Sequence, residues 1–358
     1  MRVYTHNAYY RVEETEILPK LLLATRITKT ERASIMYDAQ DIQNSFRETS
    51  AIQQLMKAYE LSGNEGLALM TLCESLLRTP DLETRDELIK EKLSGAEWNQ
   101  ITENSIWARI SGAALTQAQK FAEYNNMITR LGWPTVRKLV IEMVKVMGNA
   151  YVMGETITRA MGKKEARYSY SFDMLGEAAT NWNDANKYYE KYMEAAQTFN
   201  DSISVKLSAI HPKYEIRNHS DVIHTMVPKL AAIARVCEQN NTTMFIDAEE
   251  TYRLDLSIMV LEELLNTFKF KRGTIGFAVQ AYQKRAFWVI DTLENIASKA
   301  STELVVRLVK GAYWDTEIKI AQQEGLDYPV FTRKDFTDIS YLACARKIMT
   351  SEFIRPAY

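Results

Sequence analysis

Cysteine and histidine are scarce in this chain, with three cysteines and four histidines among 358 residues. Cys73, Cys237 and Cys344 stand alone in apolar helical contexts, and no CxxC pair occurs. The histidines are equally scattered, so the sequence predicts neither a zinc site nor a disulfide framework. We expect reduced, buried thiols, as is usual for cytoplasmic proteins, and no bound metal.

Long apolar runs and an excess of one charge are also missing. No window reaches the roughly 18 uninterrupted apolar residues of a membrane span, and residues 1–20 lack the apolar core of a signal peptide. Peripheral contact with a membrane stays open. The 44 Lys and Arg residues face 46 Asp and Glu residues, a net charge of −2. We therefore expect a globular protein without a general attraction for nucleic acid.

Up to about residue 200 the apolar residues recur with helical spacing. Asn64 is a suitable N-cap for the first such stretch, and Pro80 follows its end. The pattern is shared by four segments, which are 64–80, 113–131, 134–147 and 183–199. The sequence thus predicts a helical region, consisting of an arm and a helical domain, over residues 1–200.

After residue 200, short β-branched runs alternate with amphipathic helices. Strands are predicted at 203–207, 243–247, 275–281 and 304–309, and helices near 220–237, 254–268, 285–297, 315–323 and 338–349. Strands separated by helices pair in parallel, either in a doubly wound sheet or in a (β/α)8 barrel. No GxGxxG or GxxxxGK[ST] follows any strand, which disfavours the nucleotide-binding doubly wound folds. The predicted fold class is α/β, with the helical domain followed by the first half of a TIM-type barrel, its strands 1–4, over residues 201–358.

Each predicted strand carries a polar residue at or near its end, namely Lys206, Asp247, Gln280 and Arg307. Because the C-terminal ends of barrel strands converge, these residues are expected to share one site. Isolated buried charges are costly, so Lys206 or Arg307 should pair with Asp247. Two cations, a carboxylate and an amide suit an anionic small molecule, and a structural salt-bridge layer is the alternative. No Ser–His or Cys–His pair accompanies them, which favours redox chemistry carried by a cofactor.

The segment LVVRLVKGAYWDTE (304–317) adds a second signal. Arg307 interrupts an apolar run, where an unpaired guanidinium would be costly. Gly311 permits a close approach to the backbone, and Tyr313 and Trp314 can cover a flat or cyclic ligand. The alternative is a buried arginine paired with a structural carboxylate, beside aromatic side chains that cap a core.

Long stretches of the chain, in order, resemble the proline dehydrogenase domain of bifunctional proline utilisation A. They are SVKLSAIHPKY (204–214), IDAEETYRLDLS (246–257), GFAVQAYQKR (276–285), RLVKGAYWDTEIK (307–319) and YPVFTRKDFTDISYLACARK (328–347). Two further stretches, RYSYSFDMLGEAA (167–179) and NEGLALMTLCESLLRTPD (64–81), resemble the helical region before that barrel. The resemblance covers nearly the whole chain.

This resemblance implies an FAD enzyme that oxidises L-proline to Δ1-pyrroline-5-carboxylate in a distorted (β/α)8 barrel. By matching position, Asp247 and Arg307 would be catalytic, with Arg307 near flavin N5. The substrate would contact Lys206, Asp247 and Tyr313. The flavin would contact Gln280, Arg307, Val309, Gly311, Ala312, Trp314, Thr332, Arg333 and Lys334.

The resemblance also implies partners for a longer protein: a C-terminal aldehyde dehydrogenase domain, an oligomeric assembly and, left open, a membrane quinone. It implies a cytoplasmic location and no nucleic acid bound by this segment. Four predicted strands fall short of the eight in a complete barrel, so we expect this chain to be part of a longer product. Two alternatives remain, a non-catalytic interaction protein built on a half-barrel and a flavin barrel oxidoreductase for another small acid.

Overall fold

The computed structural model describes residues 4–45, 84, 87 and 152–357, apart from residues 155, 175, 177 and 200. The chain divides into two compact units, one of residues 1–32 with 165–358 and one of residues 33–164. Cys73 and the helices predicted at 64–80, 113–131 and 134–147 lie outside the described residues. The first unit contains the sheet.

Six parallel strands form one sheet in chain order. They are β1 (Ser171–Asp173), β2 (Ser202–Val205), β3 (Met244–Ile246), β4 (Ile275–Gln280), β5 (Leu304–Val309) and β6 (Ile354–Pro356). Every adjacent pair is parallel, which confirms the predicted parallel pairing. A doubly wound sheet reverses its strand order at a switch point. The unbroken order found here is instead the order of a TIM-type barrel wall.

Three described helices precede β1, and six further helices lie between the strands from β1 to β6, in agreement with the predicted alternation. In chain order they are α1 (Glu14–Ala24), α2 (Lys29–Ser45), α3 (Ile157–Met161), α4 (Trp182–Thr198), α5 (His219–Gln239), α6 (Leu254–Thr267), α7 (Ala286–Lys299), α8 (Trp314–Glu324) and α9 (Lys334–Met349). Short 3-10 helices occur at Thr5–Tyr9, Leu207–Ala209, Ile216–Asn218 and Thr251–Arg253. Helix α5 begins at His219, one residue before the predicted start at residue 220, and contains Pro228.

The sheet corrects two predictions. Strand β1 lies inside the segment that was predicted to be helical, and the described sheet has six strands where four, now β2–β5, were predicted. Both additional strands, β1 and β6, are three residues long. Tertiary contacts stabilise them: Phe172 of β1 stacks on Phe199, with ring centroids 3.7 Å apart.

Alternate residues of the strands define two faces of the sheet. Val205, Ile246 and Phe277 lie on one face and are fully buried. On the other face, strand register aligns Ser204 of β2, Phe245 of β3 and Gly276 of β4. A Cβ atom on Gly276 would lie 2.3 Å from the Phe245 ring, so glycine makes room for this ring.

The N-terminal segment packs on the same unit. Ile17 and Leu21 of α1 are fully buried and form an apolar cluster with Phe331 and Ala343 of the barrel portion. None of the four residues belongs to a strand of the sheet. Phe331 immediately precedes Thr332, one of the predicted cofactor residues. Within the residues that the structure describes, no helix combines the length and hydropathy needed to cross a membrane.

Candidate active site

Four side chains of alternating charge form a row at the C-terminal ends of the strands. Lys206 Nζ lies 3.1 Å from Asp173 Oδ1 and 3.7 Å from Asp247 Oδ2. Arg307 Nη2 donates a hydrogen bond to Asp247 Oδ1 at 2.5 Å. Asp247 therefore pairs with both cations, which confirms the predicted pairing. We call Asp173, Lys206, Asp247 and Arg307 the charged row.

The strand register explains how Arg307 reaches this row. Arg307 lies within β5 opposite Ala278 of β4, and small neighbours leave space above the sheet. The guanidinium spans this space, because Nη1 donates to Ser204 Oγ of β2 at 2.7 Å. The Phe245 ring lies beneath it, 5.5 Å from the guanidinium carbon. Arg307 of β5 thus places its positive charge next to residues of β2 and of the loop after β3, in the middle of the sheet.

The charged row is partly buried and contains two charges of each sign. The side chains of Lys206 and Asp247 are each 12% exposed, and that of Arg307 is 20% exposed. Burial raises the pKa of Asp173, and the Asp247 charge adds to this, although the Lys206 ammonium opposes it. Among the described residues, Arg307 Nε is a buried donor without a hydrogen-bond partner. It is the one donor nitrogen of this guanidinium that no described protein group binds.

Gln280 lies at the predicted position but contacts the protein itself. It ends β4 and is 3% exposed. Its Nε2 donates to the Glu249 carbonyl at 2.8 Å, and its Oε1 accepts from the Ala312 backbone N–H at 3.1 Å. Gln280 therefore joins the loop after β3 to the loop after β5, and its contact with a cofactor remains a prediction.

The loop after β5 needs glycine at its second position, after Lys310. Gly311 has φ of +141°, and a Cβ atom there would lie 2.4 Å from the Tyr282 ring. Val309 precedes this loop and pairs in register with Gln280. Helix α8 begins at Trp314. We call residues 311–314 the aromatic loop, because Tyr313 and Trp314 form its second half.

A chain of contacts joins the aromatic loop to the start of α9. Trp314 Nε1 donates to the Phe331 carbonyl at 2.8 Å, and the side chain keeps 42% exposure. The next residue, Thr332, donates from its backbone N–H and its hydroxyl to Glu14, at 2.6 and 3.0 Å. Arg333 and Lys334 follow, exposed and paired with acidic residues of α9. Their role with a cofactor stays a prediction.

Sequence reasoning missed two acidic members of this region. Asp173 follows the alternating aromatic residues Tyr168, Tyr170 and Phe172, a period of two that could have identified β1. Glu249 is 5% exposed and accepts hydrogen bonds from the Ser208 backbone N–H at 3.1 Å and from Arg253 at 2.6 Å. Glu249 lies two residues after Asp247 in an acidic segment after β3, and this position could have marked it as a candidate site residue.

Parallel strands in chain order, with charged side chains at their C-terminal ends, define an enzyme of the (β/α) barrel class. The model of the family described as proline dehydrogenase matches residues 156–357. That is more than half of the chain, and the chain belongs to this family. A second model, described as the DNA-binding domain of proline dehydrogenase, matches residues 51–151. Most of those residues are outside the described part, and the prediction of no nucleic-acid binding stays a prediction.

Curated and solved relatives agree with this assignment. The bifunctional protein PutA of Escherichia coli (strain K12) is 37% identical over 379 residues, covering 96% of this chain and 29% of its own length. PutA of Rhizobium meliloti is 37% identical over 366 residues, with 94% and 30% covered. A crystal structure of a Bradyrhizobium japonicum PutA mutant is 36% identical with a TM-score of 0.70, covering 97% of this chain and 38% of that one. The chain thus spans less than a third of the length of these curated relatives.

Proposed function

We propose that this chain provides the site at which a longer protein oxidises L-proline to Δ1-pyrroline-5-carboxylate, with FAD as cofactor. The observation that best supports this proposal is the charged row, whose Asp247 lies in the loop that Gln280 joins to the aromatic loop. It offers an oriented guanidinium with a free Nε and a neighbouring ammonium at the strand ends. Because the chain belongs to the proline dehydrogenase family, we assign proline oxidation as the reaction of this site.

The substrate role belongs to the Lys206 end of the charged row. The Lys206 ammonium is a suitable partner for the carboxylate of proline. Asp247 holds Lys206 and Arg307 apart from each other in defined orientations, so neither cation has to be ordered when substrate arrives. Tyr313, in the aromatic loop, supplies an apolar ring for the methylene groups of the substrate.

The residues present also suit FAD. When bound, FAD supplies the acceptor for the hydride that leaves proline. Arg307 provides a fixed positive charge that stabilises negative charge developing beside it. The positive φ of Gly311 allows the backbone to approach a planar ring closely. At the start of α9, the Thr332 donors already bind one anionic group, the Glu14 carboxylate, so this helix end is suited to phosphate oxygens.

The partners of the longer protein are proposed on the same basis. The relatives are named bifunctional, and this chain covers 29% of the one from Escherichia coli. We propose an aldehyde dehydrogenase domain elsewhere in the product, an oligomeric assembly and a cytoplasmic location, with electrons leaving to a membrane quinone through peripheral contact. An interaction protein without catalysis is disfavoured, because every charged position of the row is occupied and paired.

The test uses the full-length gene product loaded with FAD. Lys206→Ala should raise the proline KM about tenfold or more, because it removes a charge-assisted contact. Arg307→Met should slow flavin reduction by proline and weaken FAD binding. Other small acids, offered at the same concentrations, test the alternative substrate class.

Two matched controls carry the same side-chain changes at exposed positions, Lys299→Ala and Arg272→Met. Both should retain the parent kinetics. Unchanged proline kinetics in both site variants would overturn the assignment of these residues. Flavin reduction by another acid, but not by proline, would replace the proposed substrate.

A further inference from the structure

A buried carboxylate lies behind the aromatic loop and plays no part in the charged row. Glu317, in the first turn of α8, is 3% exposed. Its Oε1 accepts the Thr251 backbone N–H at 2.6 Å, and its Oε2 accepts the Thr251 hydroxyl at 2.7 Å. Thr251 follows β3 shortly after Asp247. One residue pair thus connects the loop after β3 with the helix that follows the aromatic loop.

The N-terminal segment extends this connection. The Tyr10 hydroxyl lies 3.1 Å from Thr251 Oγ1. The Thr251 hydroxyl has one proton, and it is directed to the Glu317 carboxylate, which can only accept. Tyr10 must therefore donate to Thr251. The result is a directed chain from Tyr10 through Thr251 to Glu317, which we call the hydroxyl chain.

Arg285 fixes the remaining polar group of Thr251. This arginine is fully buried, and its Nη2 donates to the Thr251 carbonyl at 2.6 Å. Its Nη1 donates to Asn7 Oδ1 at 2.6 Å and to Asp255 Oδ2 at 3.1 Å. The guanidinium also lies over the Tyr10 ring, 4.2 Å from its centroid. Thr251 is consequently held through its N–H, its hydroxyl and its carbonyl at once.

We propose that Tyr10, Thr251 and Glu317 are positioning residues, which hold the aromatic loop in register with Asp247 and the charged row. Gln280 bridges the same two loops on the site side, and the hydroxyl chain bridges them from behind. The N-terminal segment is thereby a working part of the site. That the aromatic loop contacts FAD rests on the proposed function, whereas the coupling between the two loops does not.

Hydrogen–deuterium exchange of residues 310–316 in the full-length product, without added flavin, tests the coupling. Thr251→Val keeps the side-chain shape but deletes the hydroxyl, and Glu317→Gln deletes the charge. We expect each to raise the exchange rate in this loop about tenfold, because a lost hydrogen bond to a charged group raises the local opening constant by about that factor. Thr251→Ser retains the donor and should exchange at the parent rate.

A second pair of variants separates the chain from general docking of the N-terminal segment. Tyr10→Phe removes the hydroxyl that leads to Glu317, whereas Tyr4→Phe removes one that donates to Glu262. Only Tyr10→Phe should accelerate exchange at 310–316. Equal exchange in Tyr10→Phe and Tyr4→Phe would overturn the proposal, and this comparison decides the matter if Thr251→Val and Glu317→Gln fail to fold.

Measurement of FAD affinity distinguishes this proposal from the proposed function. If the function holds, Thr251→Val should bind FAD more weakly and Thr251→Ser as tightly as the parent. If the exchange differences appear but no variant binds FAD, the proposed function fails while the positioning role stands. Parent-like exchange in Thr251→Val and Glu317→Gln, with native folds, would refute the positioning role whatever the flavin affinity.

Discussion

Asp247 illustrates why individual residues of the site depend on one another. It is the shared partner of Lys206 and Arg307, and its removal would leave two partly buried cations side by side. Breaking a buried pair in this way costs more than the pair itself contributes, because the remaining charges stay desolvated. A purely structural salt bridge would need one cation here. The second cation and the Arg307 Nε, unpartnered among the described residues, are the two features that support the ligand site proposed here.

Asp255 provides a residue-scale prediction about pH. Although burial raises its pKa, the hydrogen bond from His6 and the Arg285 charge outweigh burial and place it below the usual 3.8. A depressed native pKa means that the stabilisation is complete above pH of about 4 and is lost as the pH falls through the native value. We therefore expect Asp255→Asn to lower the free energy of unfolding by about 2 kcal/mol at pH 7.

That difference should shrink as the pH is lowered below 4, since the wild-type carboxyl then also becomes neutral. Urea unfolding of both proteins between pH 3 and 7 measures it. A difference that stays constant across this range would contradict a lowered pKa of Asp255 in the native protein. Asp335→Asn, at an exposed pair with Arg333, is the control and should change stability by less than about 1 kcal/mol.

At the scale of elements, burial decides the chemistry of the cysteines. Cys237 of α5 and Cys344 of α9 are fully buried. Burial raises the pKa of these thiols to about 11 and about 12, from the usual 9.0. A thiolate is the reactive form, and its fraction at pH 8 falls about a hundredfold when the pKa rises by two units.

We therefore expect both thiols to resist alkylation by iodoacetamide at pH 8 in the native protein and to react readily in urea. Mass spectrometry of labelled peptides gives the rates. Native rates within tenfold of the unfolded ones would show that α5 and α9 open far more often than their packing indicates.

The short strands β1 and β6 depend on the neighbouring strands for their conformation. Strand β1 has three residues and pairs over its whole length with β2. An isolated segment of this length has no stable strand conformation, and neighbouring strands must supply the hydrogen bonds. The aromatic stacking of Phe172 on Phe199 then fixes its inward and outward faces. The same dependence applies to β6, which pairs with β5.

At the scale of the whole molecule, the described sheet has two open sides. β1 pairs with β2 alone and β6 with β5 alone, within the six strands that the structure describes. Exposed strand edges are templates for association. A polypeptide limited to residues 1–358 is therefore expected to self-associate and to retain little flavin, because both edge strands of the described sheet lack a second partner strand.

Size-exclusion chromatography with light scattering, together with flavin absorbance, measures both properties. The full-length product serves as the control and should elute as one defined species that contains flavin. A yellow, proline-oxidising monomer of residues 1–358 would show that six strands are enough.

The sequence by itself determined the local features of this protein. Alternating β-branched and amphipathic segments predicted the longer strands and the helices between them, because side-chain periodicity is a local property. Polar residues at strand ends predicted Lys206, Asp247 and Arg307 as one cluster, since parallel strands deliver their ends to one edge. The resemblance named the family.

Tertiary structure alone decided the features that depend on distant partners. Asp173 joins the charged row because β1 pairs with β2, and the alternation of aromatic residues before Asp173 does not specify that pairing. The amide of Gln280 joins two loops whose proximity no sequence window contains, and its contact with a cofactor stays a prediction. The contact of Tyr10 with Thr251 spans 241 residues. Such pairings arise when burial brings together donors and acceptors that must be satisfied, and only the folded chain specifies which ones meet.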